Sequence, residues 1–154
     1  MEVEKAPVKK IFLIDDDPDD RFIFESLLQE VDATIEFLSN AGSESVLEEI
    51  KTFLPHLIFL DINIPLKNGF EWLKEFKDHP DIKRIPVVMY SSSDYGNDIN
   101  ASYGLGASLY VQKPVTPERL FNTLRSIIDM SWHIPQDITA KHFRSGTYIA
   151  FEAE

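Results

Sequence analysis

Five short apolar segments recur along the chain, and turn-forming or charged residues bound each of them. Residues 10–14, 57–60, 86–90 and 109–111 are almost continuously apolar, whereas residues 34–38 alternate weakly. Short apolar segments of this kind are typical of strands that are buried on both faces, as in a parallel sheet. The pattern therefore predicts five strands, most of them in the interior.

Helical patterns separate the predicted strands. Asp17 and Pro18 form a typical helix start, because an Asp cap is followed by Pro at the first helical position. The other predicted helices cover residues 43–53, the segment from Phe70 to the residue before Pro80, residues 94–103 and a segment that opens at Thr116 and Pro117. Five strand–helix repeats predict an α/β fold, a doubly wound five-stranded parallel sheet with helices on both faces.

One domain accounts for most of the 154 residues, since about 150 residues is an ordinary domain length. We assign residues 8–130 to this domain and residues 131–154 to a C-terminal extension outside the strand–helix alternation. Aromatic residues argue against a disordered tail; those of the extension are Trp132, Phe143, Tyr148 and Phe151. The extension is expected to pack on its own domain or on a second copy of the chain, and the pattern does not choose between the two.

Composition and charge narrow the function further. The absence of cysteine excludes a disulfide scaffold, a thiolate metal site and a cysteine nucleophile. A formal net charge of −11 disfavours a nucleic-acid partner, whose phosphates are bound mainly by Lys and Arg, and favours a cation or a basic protein surface. The longest apolar segment, 57–60, is far shorter than the roughly 20 residues of a membrane helix. No secretory signal is visible, so a cytoplasmic protein without a membrane partner is expected.

Chemically active side chains follow four of the predicted strands. Asp15 and Asp16 come directly after the first strand, Asp61 after the third, Ser91 after the fourth and Lys113 shortly after the fifth. The carboxyl ends of parallel strands meet at one edge, which is where ligands bind in such sheets. The sequence therefore predicts three carboxylates, a hydroxyl and an ammonium at one site.

These carboxylates need positive charge nearby. Two unit charges about 4 Å apart repel by about 4 kcal/mol at an effective dielectric constant of about 20. Lys113 supplies one positive charge, and a divalent cation supplies the two that remain. Oxygen ligands without His or Cys suit a hard ion, Mg²⁺ rather than Zn²⁺. A metal, an ammonium and a carboxylate nucleophile together favour phosphoryl transfer onto an Asp.

Four motifs occur in the order and spacing of a known family. They are FLIDDDP at 12–18, LDINIPLKNG at 60–69, MYSSS at 89–93 and LYVQKP at 109–114. In combination they resemble the receiver domain of two-component response regulators, over roughly residues 8–129. The resemblance implies a flavodoxin-like (βα)5 fold and a signalling protein that catalyses only its own phosphorylation and dephosphorylation.

The resemblance also implies a role for each residue at the strand ends. Asp61 is implied to be the phosphoacceptor for a sensor histidine kinase or a phosphotransfer protein. Asp16 and Asp61 are implied to bind Mg²⁺ directly, together with the backbone carbonyl of Asn63, while Asp15 holds a metal-bound water. Lys113 is implied to pair with the phosphoryl group.

Two further residues are implied to carry the signal outward. Ser91 donates its hydroxyl to a phosphoryl oxygen, and Tyr110 is the switch aromatic that turns inward as Ser91 moves, although Tyr110 fits simple strand packing equally well. The surface that changes is that of the fourth helix, fifth strand and fifth helix.

The Lys113–Pro114 peptide bond is expected to be cis, as in the family. Similar small regulators, including those of bacterial phytochromes, lack an output domain, and some dimerise through the last helix and its extension, so a homodimer is a candidate assembly.

Two other functions stay open at this point. A phosphate-independent docking module of the same fold would not need the set of acids and Lys. A metal-dependent phosphohydrolase would use Asp61 as its nucleophile, but Asn63 stands where its general acid is expected.

Asp17, Asp19 and Asp20 have a simpler interpretation as a helix cap and first-turn acids. The four histidines show no metal-binding spacing and carry no predicted chemistry.

Overall fold

A central five-stranded parallel sheet organises the fold in the computed structural model, which describes residues 7–153. Its strands are β1 (Lys10–Ile14), β2 (Glu36–Asn40), β3 (Leu57–Leu60), β4 (Val87–Ser91) and β5 (Leu109–Gln112). They lie side by side in the order β2-β1-β3-β4-β5, and every pairing in this sheet is parallel. The predicted doubly wound α/β fold is thereby confirmed.

Helices follow the strands along the chain. They are α1 (Pro18–Val31), α2 (Val46–Phe53), α3 (Gly69–Asp78), α4 (Gly96–Gly104), α5 (Pro117–Ile128) and α6 (Pro135–Ala140). The cap predicted for α1 is present, because Asp17 Oδ1 accepts a hydrogen bond from the Asp19 N–H at 2.8 Å. Within residues 7–153, no helix has both the length and the apolar character needed to cross a membrane.

Two helices begin later than predicted, because polar side chains ahead of them form turns. Before α2, the side-chain oxygen of Asn40 accepts the N–H of Ser43 at 2.8 Å. Before α4, the hydroxyl oxygen of Ser93 accepts the N–H of Tyr95 at 3.2 Å. Side chains that bond nearby backbone groups compete with the first helical turn in this way.

Two apolar layers cover the faces of the sheet. Phe24 of α1 and Phe59 of β3 lie in one layer, with ring centroids 5.0 Å apart. Phe12 of β1 and Tyr110 of β5 lie in the other, and both side chains are fully buried. Because the central strands contribute to both layers, their residues are apolar without alternation, as the sequence predicted.

The second strand, β2, differs from the central strands in its position and from the prediction in its start. It lies at the edge of the sheet and begins two residues later than the predicted segment 34–38. The carboxylate of Asp32 accepts the N–H of Thr34 at 2.9 Å, and the carbonyl of Asp32 accepts the N–H of Ile35 at 3.2 Å. These bonds form a turn that keeps residues 34 and 35 out of the strand.

The C-terminal extension contacts the domain of its own chain. Trp132 is buried, and its indole N–H donates to the carbonyl of Ile127 at 2.7 Å. A hairpin of β6 (Phe143–Arg144) and β7 (Thr147–Tyr148) follows α6. Phe151 then forms a parallel bridge with Val111 of β5. Packing on the same chain is therefore present, whereas the boundary at residue 130 and a homodimer stay predictions.

Candidate functional site

The predicted site residues meet at the edge formed by the carboxyl ends of the strands. Asp15 follows β1 and is fully buried, and Asp61 follows β3 with 6% of its surface exposed. Ser91 is the last residue of β4 and is also fully buried. Asp16 is exposed. The site thus has a buried floor, and the acid at its rim is open to solvent.

Lys113 connects the carboxylates of this site. Its ammonium nitrogen lies 2.8 Å from Asp15 Oδ2 and 3.0 Å from Asp61 Oδ2. The same nitrogen lies 2.9 Å from Asp20 Oδ2. An ammonium has three N–H donors, so these three carboxylates engage all of them. Lys113 also lies 5.5 Å from the ring centroid of Tyr90, a cation–π distance that helps to fix its position.

Asp20 is a residue of this cluster that the sequence did not assign to the site. The sequence assigned it to the first helical turn, where an acid is explained by the helix dipole alone. The first turn of α1 begins at Pro18, shortly after β1 ends at Ile14, so its side chains can face the same edge as Asp15. That adjacency was a usable signal, but the residue pattern does not separate an acid that faces solvent from one that faces a neighbouring Lys.

Burial and hydrogen bonding set the protonation of this cluster. Burial raises the pKa of Asp15, while the hydrogen bond from Lys113 and that from the Asp17 N–H act against the rise. Burial also disfavours the charge on Lys113, but its hydrogen bonds to Asp15, Asp20 and Asp61 outweigh that effect and raise the Lys113 pKa. Lys113 is therefore held as a cation, and the cluster keeps an excess of negative charge.

The acids are spaced for a metal ion. One carboxylate oxygen each from Asp15, Asp16 and Asp61 lies within 4.8 Å of the others. All three offer only hard oxygen donors, which fits a hard divalent cation better than Zn²⁺. The N–H of Asn63 lies 3.4 Å from Asp61 Oδ1, so the backbone after β3 stays close to this group. The donor set therefore fits the divalent cation that the sequence predicted.

Gly69 shapes the loop that follows the central acid. Its N–H donates to the carbonyl of Ile62 at 2.8 Å. A Cβ atom at this position would lie 2.7 Å from the Cα of Ile62 and would also collide with the carbonyl oxygen of Asp61. Only glycine lets the start of α3 approach the Asp61 backbone this closely.

Ser91 and Tyr110 both form hydrogen bonds with the backbone of Ser93, in the loop that follows β4. Tyr110 is fully buried, and its hydroxyl donates to the carbonyl of Ser93 at 2.8 Å. The hydroxyl oxygen of Ser91 accepts the N–H of Ser93 at 3.3 Å. Burial raises the pKa of Tyr110, against contacts with the Ser93 and Ser91 side chains. The ring of Tyr110 thus lies inward, next to the loop that carries Ser91, while its role as a switch stays a prediction.

The peptide bond between Lys113 and Pro114 is trans, so the predicted cis bond is wrong. The trans isomer is the lower in energy for a bond to proline, by about 0.5–1 kcal/mol. The Lys113 N–H also donates to the carbonyl of Ser91 at 2.7 Å, which continues the β4–β5 pairing to this point. With this backbone arrangement the Lys113 side chain still reaches Asp61.

Comparison with known proteins identifies the family. The family model "Response regulator receiver domain" matches residues 11–125. The response regulator Rcp1 of Synechocystis sp. is 35% identical over 139 residues, which cover 82% of this chain and 91% of Rcp1. The sensory transduction protein BceR of Halalkalibacterium halodurans is 26% identical over 94% of this chain, but the match spans only 60% of BceR.

Solved structures agree with this assignment. The Mn²⁺-bound form of Rcp1 superposes with a TM-score of 0.67 at 31% identity, over 82% of this chain and 96% of that chain. The phosphorylated cyanobacterial phytochrome response regulator RcpA superposes with a TM-score of 0.70 at 31% identity, over 83% and 96%. Proteins with such domains are signalling proteins of two-component systems rather than classical enzymes. The chain belongs to the response regulator receiver family.

Proposed function

We propose that Asp61 accepts a phosphoryl group from a histidine kinase or a phosphotransfer protein. The observation that carries this proposal is the position of the Lys113 ammonium, 3.0 Å from Asp61 Oδ2 and beside the acids Asp15 and Asp16. A carboxylate that lies next to a fixed cation and a metal-binding set of oxygens is suited to attack phosphorus. The strand ends hold all of these groups in place before a donor arrives.

The reaction is a displacement at phosphorus. An oxygen of Asp61 forms a P–O bond as the P–N bond of the donor phosphohistidine breaks, and the imidazole nitrogen leaves with the bonding electrons. Lys113 pairs with one oxygen of the transferred group, and Ser91 donates its hydroxyl to another. Both contacts compensate charge that the phosphoryl group brings into a site already rich in carboxylates.

Mg²⁺ is the cation we propose for this site. Asp16 and Asp61 would hold it with the carbonyl of Asn63, and Asp15 would hold one of its waters. When bound, Mg²⁺ supplies positive charge that reduces repulsion between the carboxylates and the incoming phosphoryl group. A solved structure of the relative Rcp1 is a Mn²⁺-bound form, which supports a divalent cation as a ligand of this chain.

Phosphorylation is proposed to act on the surface of α4, β5 and α5. The phosphoryl group draws Ser91 toward it, and Tyr110 responds because its hydroxyl is bonded to the same loop. The contacts among these residues support the link, since the Ser93 backbone bonds to both side chains. The phosphoryl group itself carries a charge of about −1.5 to −2, and it biases this surface toward one of two arrangements. A cytoplasmic location, a homodimer and the absence of a nucleic-acid partner stay predictions.

Phosphorylation with a small donor tests the proposal. Wild-type protein incubated with acetyl phosphate and Mg²⁺ is expected to gain the mass of one phosphoryl group, whereas Asp61→Asn gains none. Asp19→Asn is the matched control, because it removes an exposed acid from the same chain. Omission of Mg²⁺ is expected to slow labelling strongly. Equal labelling of wild type and Asp61→Asn contradicts the proposal.

A further inference from the structure

Asp20 differs from the other partners of Lys113 in its exposure. The side chain of Asp20 is 39% exposed, whereas those of Asp15 and Asp61 are 0% and 8% exposed. All three bond to the same ammonium nitrogen at 2.8–3.0 Å. Asp20 is thus the one partner among these three that water can readily hydrate if the bond to Lys113 is lost.

The ammonium of Lys113 has no spare donor among these contacts. It has three N–H groups, and three carboxylates engage them. A phosphoryl oxygen on Asp61 therefore gains Lys113 only if a carboxylate gives up its bond. Asp15 cannot do so cheaply, because its buried carboxylate would lose its cation and keep only the hydrogen bond from the Asp17 N–H. Asp61 can keep its contact, because one of its two oxygens remains a carbonyl acceptor after the other is phosphorylated.

We propose that Asp20 is a positioning residue that holds the third N–H of Lys113 in the unphosphorylated protein and yields it to a phosphoryl oxygen. The inference rests on the proposed function of Asp61. Lys113 stays in place during the exchange, because Asp15 and the ring of Tyr90 still contact it. Asp20 itself swings toward solvent, which its position at the rim of the site allows.

The charge of Asp20 gives this exchange an observable signature. The carboxylates of Asp15, Asp16, Asp20 and Asp61 oppose the one positive charge of Lys113, which leaves −3 in the cluster. A divalent cation reduces this to −1, and removal of the Asp20 charge reduces it to zero. Asp20 therefore attracts the cation and repels the phosphoryl group, so its removal changes the two affinities in opposite directions.

Asp20→Asn tests the proposal, because it keeps the size of the side chain and removes its charge. The variant is expected to bind Mg²⁺ about two- to fivefold more weakly, as for a partly exposed ion pair. At saturating Mg²⁺ it is expected to bind beryllofluoride, an analogue of the phosphoryl group, more tightly by a similar factor. Isothermal titration of wild type and variant measures both affinities, and fluorine resonance of the bound analogue reports the contact with Lys113.

Asp19→Asn is the matched control. Asp19 lies in the same helical turn and is exposed, and no contact described for residues 7–153 joins its side chain to Lys113. Its removal is expected to change either affinity by less than about 1.5-fold, because an exposed charge is screened. Asp20→Glu keeps the charge and is expected to restore Mg²⁺ affinity toward that of wild type.

The outcomes separate this inference from the proposed function. Unchanged affinities in Asp20→Asn, or affinities that move in the same direction, overturn the role of Asp20 while leaving Asp61 as phosphoacceptor. Wild-type protein that binds no beryllofluoride overturns both. A purely structural role of Asp20 predicts weaker binding of both ligands and lower stability, which chemical unfolding of the same variants detects.

Discussion

The ammonium of Lys113 lies 2.8 Å from a carboxylate oxygen of Asp15, whose side chain is inaccessible to solvent. Replacement of Lys113 by Met leaves that carboxylate without its cation. Such a loss typically costs about 3–5 kcal/mol. We expect Lys113→Met to lower the free energy of unfolding by roughly this amount at pH 8 in metal-free buffer.

The pH dependence of this loss of stability shows whether the unpaired carboxylate of Asp15 causes it. Burial raises the pKa of Asp15 above its ordinary value, so the folded state binds a proton more readily than the unfolded state. The stability linked to Asp15 is present at low pH and is lost as pH rises through its folded-state pKa. Lys113 acts against this rise, so the pKa of Asp15 is raised further in Lys113→Met, and the cost of the substitution should shrink between pH 8 and pH 5 in urea titrations. An equal cost at both pH values, or a similar cost for the exposed Lys83→Met, contradicts the assignment.

Gly69→Ala tests the close approach of α3 to the loop after Asp61. The new methyl group would meet backbone atoms of Asp61 and Ile62, which cannot move without shifting the loop. We expect a loss of about 1–3 kcal/mol in unfolding free energy, typical of overpacking, together with slower phosphorylation by acetyl phosphate. Gly104→Ala is the control, since nothing lies within 4 Å of its added Cβ. Equal effects of the two substitutions argue against the predicted collision.

His56 makes stability fall as pH falls through the neutral range. Its Nδ1 accepts the N–H groups of Lys9 at 2.9 Å and Lys10 at 3.0 Å, so protonation of Nδ1 would break both bonds. Burial, aided by the charge of Lys10, lowers the pKa of His56. The unfolded state therefore binds a proton first as pH drops below about 6.5, and stability is lost there.

His56→Asn isolates this effect. The side-chain oxygen of Asn can accept a backbone N–H but does not titrate. Between pH 7.5 and 5.5 we expect the wild type to lose more unfolding free energy than His56→Asn, as measured by urea unfolding. The exposed His133→Asn should behave like the wild type. Parallel pH profiles for the wild type and His56→Asn contradict the assignment.

Tyr103 links β5 to the C-terminal extension. Its hydroxyl accepts the Tyr110 N–H at 3.0 Å and donates to the carbonyl of Ile149 at 3.0 Å. Tyr103→Phe leaves a buried N–H without a partner, which costs about 1–3 kcal/mol. We expect that loss in chemical unfolding, together with faster hydrogen exchange at the Tyr110 amide. Tyr148→Phe keeps its ring stacked 4.6 Å from that of Tyr103 and should cost much less. Equal stability of the two variants argues against the link.

Residues that follow the strands were the most predictable part of the site. Asp15, Asp61 and Lys113 meet because the carboxyl ends of parallel strands share an edge, and apolar segments locate those ends to within one or two residues. The strands of the sheet and the caps of the helices follow from equally local signals. Neither the position of these site residues nor the order of strands and helices depends on a particular side-chain contact.

The remaining differences depend on polar contacts that the pattern of residue types does not specify, some of them local and some between segments that are distant in sequence. Asp20 joins the site through its bond to Lys113, which lies 93 positions away. The start of β2 depends on a turn at Asp32, and the path of the extension depends on Tyr103 and Phe151. Local patterns describe helices and strands but do not state which polar groups will find one another.

The bridge at Phe151 also affects how copies of the chain can associate. An outer strand of a sheet offers unpaired N–H and C=O groups to any passing extended segment. At β5 the Phe151 N–H already donates to the carbonyl of Tyr110 at 2.8 Å, so a foreign strand must first displace the chain's own segment at Phe151. We expect this contact to oppose edge-to-edge association of copies, so that its loss reduces solubility before the domain unfolds.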